Sequence, residues 1–144
     1  MMLPMENREF IERKLDAILH YAKQLDHVLE FSDEEVRADF LKLHTLERLV
    51  QLTVDEMVDI NTHIIRHNSL ETPDDFQGSF GTLARGEILP EVFAKKISPM
   101  VGLRNRLVHR YEKIDSALLI HMVREEYDDI GLYVKYINTF LRKK

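Results

Sequence analysis

The sequence predicts an all-α fold, an up-and-down bundle of helices. Three observations carry this. Apolar residues recur at helical spacing over most of the chain, and no stretch alternates as a half-buried strand does. Five glycines and four prolines in 144 residues are too few for the many turns of an all-β fold. The connections between periodic stretches are short. A chain of this length fits one domain, residues 1–144, and a hydrophobic content of 44% supplies its core.

The first helix is predicted from Glu6 to about Glu30, with Phe10, Leu15, Ile18, Ala22, Leu25 and Leu29 on its apolar face. His20 and His27 read as solvated. Ser32 with Glu35 three residues later is a capping box, and Asp33 and Glu34 add acid to the same helix start. The second helix is predicted to run unbroken from there to about His67, through Phe40, Leu43, Val50, Val54, Met57, Ile60 and Ile64. It is the spine of the bundle.

Residues 68–81 form the loosest part. Thr72-Pro73-Asp74-Asp75 reads as a turn in which Thr72 or Asp74 can cap the next helix. Phe76, Phe80 and Leu83 predict that helix to be short, closing near Gly86. Gly78 and Gly81 lack the strand and lysine of a phosphate-binding loop. Leu89-Pro90-Glu91 opens another helix, and Ser98-Pro99 marks a kink or a fresh start. Asp115 caps the last helix, which runs to about Leu141 with Leu119, Met122, Val123, Tyr127, Ile130, Val134, Ile137 and Leu141 inward.

The chain holds no cysteine, which excludes disulfides and thiolate metal sites and is compatible with a reducing cytoplasm. No signal core and no membrane-spanning stretch is visible, so a cytoplasmic protein without a membrane role is expected. The net charge of −5 argues against binding nucleic acid through an overall field. An RNA contact needs a local patch, and Arg104, Arg106, Arg110, Lys95 and Lys96 are the candidates.

The densest chemistry lies in Leu103-Arg104-Asn105-Arg106-Leu107-Val108-His109-Arg110-Tyr111. On a helix, Met100, Leu103 and Leu107 make an apolar stripe, with Arg104 and Tyr111 on its flank. Asn105 and His109, four apart, stack on the adjacent strip within hydrogen-bond reach. Arg106 and Arg110 point to solvent. The arc is expected at the lip of the core, partly desolvated. There the imidazole can move protons, the guanidinium can grip phosphate, and the amide can hold the imidazole in one tautomer. That set suits RNA cleavage by a neighbouring ribose 2′-hydroxyl, without a metal or cofactor. On spacing alone, a solvated His beside an Arg is the plainer reading, and Tyr111 reads as a half-buried phenol below the motif.

The run Gly102 to Tyr111 resembles the Arg-x4-His-x-Tyr motif of HEPN-domain proteins, in particular HepT-type toxins. Leu46 to Gln51, Val58 to Ile65, and Phe80 to Pro90 are similar to other segments of that family. The resemblance implies a HEPN-type bundle acting as a homodimer, with the two motifs facing a shared cleft. It implies a metal-independent ribonuclease in which Arg104 and His109 are the catalytic pair and Asn105 the polar residue between them. It implies a minimal nucleotidyltransferase antitoxin as partner, able to place AMP on Tyr111. RNA is then the substrate and DNA is not expected. Residues 68–81 would be a contact surface for the antitoxin.

Two other readings stand beside it. One is a non-catalytic interaction module that holds a nucleotidyltransferase or a nucleotide, motivated by the acidic net charge. The other is a metal site on Asp59, His63 and His67, each four apart on one helix face; a plain solvated face is the simpler account. Asp59 or His63 could alternatively support the Arg104 arc from behind.

Overall fold

The computed structural model describes residues 5–109 and 114–143. Among these residues seven helices occur in order: α1 Met5–Val28, α2 Asp33–Ala38, α3 Phe40–His67, α4 Gly78–Arg85, α5 Glu91–Ile97, α6 Pro99–His109 and α7 Ser116–Arg142. No strand occurs among the described residues. The all-α prediction therefore holds, and the predicted ends of most helices fall within a few residues of those observed.

The long helices α1, α3 and α7 pack around one apolar core, and α3 touches α1, α2, α4 and α6. Lys14 meets Glu56 and Asp59, whereas Asn7 meets His63 and His67, so α1 and α3 run antiparallel. Tyr127 on α7 donates to the Ala22 carbonyl and Arg8 to that of Leu141, so α1 and α7 are antiparallel too.

The predicted unbroken helix from Asp33 to His67 is corrected. The chain breaks at Asp39, whose backbone is extended at φ −115°, ψ 108°. Asp39 ends α2 and caps α3 at once. Its carboxylate accepts from the Leu41 N–H at 2.9 Å and from Lys42 Nζ at 2.8 Å. An aspartate side chain competes for backbone N–H groups in this way, and here that competition outweighs helix continuity. The break also rotates Phe40 out of the predicted apolar face, leaving it 68% exposed.

Other ends obey their caps. Ser32 and Glu35 form the reciprocal capping box. Asp115 accepts from the N–H groups of Ala117 and Leu118. Helix α4 is anchored by Asp75, not by Thr72 or Asp74: its carboxylate accepts from the Gly78 N–H at 2.7 Å. Pro90 occupies the cap position rather than the first turn of α5. The chain restarts at Pro99, as one of the two predicted options had it.

Helices α3 and α4 both end in a left-handed residue that is not glycine: Ser69 at φ 55° and Glu87 at φ 62°. After each, the next N–H closes a six-residue loop, Leu70 to the Ile65 carbonyl and Ile88 to that of Leu83. Gly86 lies one residue before the left-handed position. It serves close approach instead, because a Cβ there would meet Leu70 Cδ1 at 3.1 Å.

A buried polar chain crosses this core. Tyr133 on α7 donates to Asn61 Oδ1 at 2.6 Å, Asn61 Nδ2 donates to Ser79 Oγ at 3.0 Å, and Ser79 Oγ donates to the Phe76 carbonyl at 2.6 Å. Tyr133, Asn61 and Ser79 are all buried. Three helices and the loop before α4 are thereby tied to one register.

Candidate active site

Helix α6 begins at Pro99, whose fixed φ and missing N–H suit a helix start. Met100, Leu103 and Leu107 are buried, as the predicted stripe requires. The stripe fixes the rotation of α6 and brings Arg104 to its edge, half-buried, facing α3. There the guanidinium meets Asp55, with Nε donating to Oδ1 at 2.6 Å. Nη1 donates to the Asn105 side-chain carbonyl at 3.1 Å. Two of the five guanidinium N–H groups are thus committed, which leaves a fork for an anion.

Asp55 is the partner of Arg104 that sequence reading missed. Its signal was weak: one acid among several on the polar side of α3. The support expected from Asp59 or His63 falls differently. Asp59 borders the same cleft as Arg104 and Asn105, but its carboxylate accepts from Lys14 Nζ at 3.0 Å. His63 is turned away against α1, where its ring stacks on Phe10 at 4.4 Å and its Nε2 lies 2.9 Å from Asn7 Oδ1. Burial, then the neighbouring His67 and Arg66, pushes its pKa down. The metal reading for Asp59, His63 and His67 is likewise corrected. No group of three potential ligands comes together among the described residues, and α1 meets all three, Lys14 at Asp59 and Asn7 at both histidines.

Asn105 and His109 lie one turn apart on the same helix, as expected. What the structure gives the Asn105 carbonyl is a hold on the guanidinium. His109 closes α6 and is exposed, so the partial desolvation expected for it is not found. Tyr111 and Arg110 lie outside the described residues. The expected basic patch is thinner than its sequence, since Lys95 pairs with Glu91 at 3.3 Å and Lys96 with Asp129.

Two cavities flank the motif. A cleft of about 260 Å³ between α3 and α6 is lined by Asp55, Asp59, Phe76, Arg104 and Asn105. A second, of about 680 Å³, lies between the end of α3 and the loop before α4; Arg66, Leu70, Phe76 and Asn105 are among its walls. No helix among the described residues is long and apolar enough to cross a membrane.

Comparisons with known proteins agree with this fold. The chain is 35% identical over 135 residues to a tRNA nuclease HepT of Aphanizomenon flos-aquae, covering 91% of this chain and 89% of that one. It is 25% identical over 132 residues to an mRNA nuclease HepT of Shewanella oneidensis, covering 91% and 98%. A solved tri-AMPylated HEPN toxin of Shewanella oneidensis, in complex with an MNT antitoxin, superposes with a TM-score of 0.83 at 25% identity, over 90% of this chain and 97% of that one. The family model for HepT-like ribonucleases matches residues 18–137, from the middle of α1 to the last turns of α7 and across the whole motif. With that match spanning most of the chain, the motif included, the chain belongs to the HepT-like ribonuclease family.

Proposed function

We propose that this protein is an RNA-cleaving toxin whose reaction centre is Arg104, Asn105 and His109. The observation that carries the reading is the fixed guanidinium: it is held by Asp55 and Asn105 at the lip of the cleft, on the helix that also carries the exposed imidazole of His109 five residues on. The ribose 2′-hydroxyl attacks the adjacent phosphorus, a new P–O bond forms, and the 5′-oxygen leaves. His109 takes the proton from the 2′-hydroxyl or delivers one to the 5′-oxygen. Arg104 compensates the charge that gathers on the non-bridging oxygens. None of these roles calls for a metal.

One imidazole cannot serve both ends of the bond in one step, which favours a homodimer with two motifs facing one cleft. A nucleotidyltransferase antitoxin would silence the site by transferring AMP from ATP to Tyr111, releasing pyrophosphate. The toxin of the Shewanella complex is AMPylated, which supports this. Action on cellular RNA fits the cytoplasmic location expected from the sequence.

The test is RNA cleavage and growth arrest by wild type, Arg104→Ala and His109→Ala. Each substitution is expected to lower kcat/KM by about 10²–10⁴-fold without unfolding the bundle. Wild type inert on total RNA, or variants that remain fully active, would refute the reading. A non-catalytic module is the second reading, favoured by the pairing of Lys95 and Lys96 with acids. Its mark is a tight antitoxin complex that survives His109→Ala in a protein that cleaves no RNA. Mass spectrometry after co-expression with the antitoxin reads the modification, an added AMP on Tyr111.

A further inference from the structure

We propose that the 680 Å³ cavity beside the motif receives a nucleobase adjoining the scissile phosphate, stacked on Phe76. The inference rests on the ribonuclease reading for its substrate but not for its geometry.

Phe76 and Asn105 line both this cavity and the smaller cleft that holds Arg104. The two spaces therefore meet along one aromatic ring and one amide. A nucleotide with its phosphate at Arg104 has its base carried in the direction of the larger cavity. That volume lies within the range of about 300–1,000 Å³ typical of small-molecule sites.

The walls suit a base. Phe76 is 58% exposed, whereas Phe80 and Leu83, grouped with it by the sequence pattern, are buried. A large aromatic ring left bare beside a phosphate-gripping arginine is a stacking platform. Asn105 gives its carbonyl to Arg104, which leaves its amide N–H groups for an acceptor on the base edge. Thr62 and Gln77 add further polar groups, and Arg66 adds a cation suited to the next phosphate along the strand.

The platform is also held in place. The Phe76 carbonyl accepts from both the Ser79 hydroxyl and the Ser79 N–H, the ends of the buried chain that begins at Tyr133. Across the cavity, the left-handed corner at Ser69 is fixed by the Leu70 N–H to the Ile65 carbonyl. Both walls are thus preorganised by contacts that reach the core. A protein partner seated in the same cavity would need only an apolar anchor and would make no use of the continuity with Arg104.

The experiment uses the full chain. A short single-stranded RNA is made with 2-aminopurine at each position in turn, and its fluorescence is monitored on titration with His109→Ala, which blocks turnover. One position is expected to be quenched by stacking, and adding Phe76→Ala should abolish the quench and weaken binding by about fivefold to a hundredfold. Phe76→Tyr should retain it. In the otherwise wild-type protein, Phe76→Ala should flatten base preference at the cut site. Since Phe76 is exposed, its melting temperature should stay within a degree or two of wild type.

Cleavage with unchanged rate and base preference in Phe76→Ala overturns the cavity assignment and leaves the nuclease standing. A Phe76-dependent quench in a protein that cleaves nothing does the reverse. If Phe76→Ala leaves RNA binding intact but breaks the antitoxin complex, the cavity is a protein contact and the inference fails. If AMP alone binds there and displaces no RNA, the cavity serves a free nucleotide and the RNA assignment also fails.

Discussion

Tyr133→Phe tests the buried polar chain with one atom. The ring is fully buried, so the substitution keeps the packing and removes only the hydroxyl. Asn61 Oδ1 then loses a donor 2.6 Å away, in a place where no solvent can replace it. An unsatisfied buried acceptor costs about 1–3 kcal/mol. With an unfolding entropy of about 2.1 cal/mol/K per residue, a chain of this length loses about 3 °C for each kcal/mol, so a fall of about 3–10 °C is expected. Burial pushes the Tyr133 phenol well above its ordinary pKa, so the loss should be independent of pH across the neutral range. Thermal and urea unfolding monitored by circular dichroism read it, with an unchanged urea slope showing that only stability has moved. Tyr133→Phe combined with Asn61→Leu should cost less than the sum of the two alone, because removing both partners leaves fewer orphans. A Tyr133→Phe protein within about 0.5 kcal/mol of wild type would refute the argument and free Phe76 from the core.

Asp55→Ala should lower kcat about tenfold or more with KM little changed, because it frees the guanidinium without removing it. Unfolding should move by no more than about 1 kcal/mol, since the pair is half-exposed; equal kcat in both proteins would remove Asp55 from the site. Glu126 on α7 lies among Lys96, Glu125 and Asp129; burial, with Asp129 beside it, raises its pKa to about 7. The folded protein therefore holds this proton more tightly than the unfolded chain, and the stability it contributes is present below about pH 4.5 and lost as pH rises through about 7. Glu126→Gln should flatten that fall, by an amount on the order of 1 kcal/mol at pH 8 after solvent screening. His63, whose pKa is depressed, acts in the opposite direction and is common to both proteins, so identical pH slopes would show that Glu126 is not the group responsible.

The helices were legible because burial imposes a period and caps impose ends. The stripe of Met100, Leu103 and Leu107 set the rotation of α6 and with it the edge on which Arg104 sits. Ser32, Glu35 and Asp115 marked two helix starts through side-chain oxygens that act locally. What stayed hidden depends on distant partners. Asp39 looked like one polar residue in a long amphipathic run, and nothing in its neighbours announces extended backbone. Asn61 and Tyr133, 72 residues apart, are polar-capable groups whose meeting across α3 and α7 has no local signature. Asp55 could be singled out only after α6 was docked on α3. Phe76 carries the opposite error: its spacing matched Phe80 and Leu83, but it precedes the helix that buries them.

A chain of net charge −5 that cleaves a polyanion needs a way to hold it. Several cations near the motif are already answered by acids: Arg104 by Asp55, Lys95 by Glu91, Lys96 by Asp129. Such pairing weakens the long-range field that would draw any nucleic acid to the surface. Recognition then falls to short-range terms, the planar fork of Arg104 on one phosphate and the bare ring of Phe76 on one base. Those terms act only on a strand whose bases are free to leave their stack, which a regular duplex does not offer. An acidic toxin built this way would select single-stranded, exposed sites by fit, and its charge would help to keep it off the rest of the cell's nucleic acid.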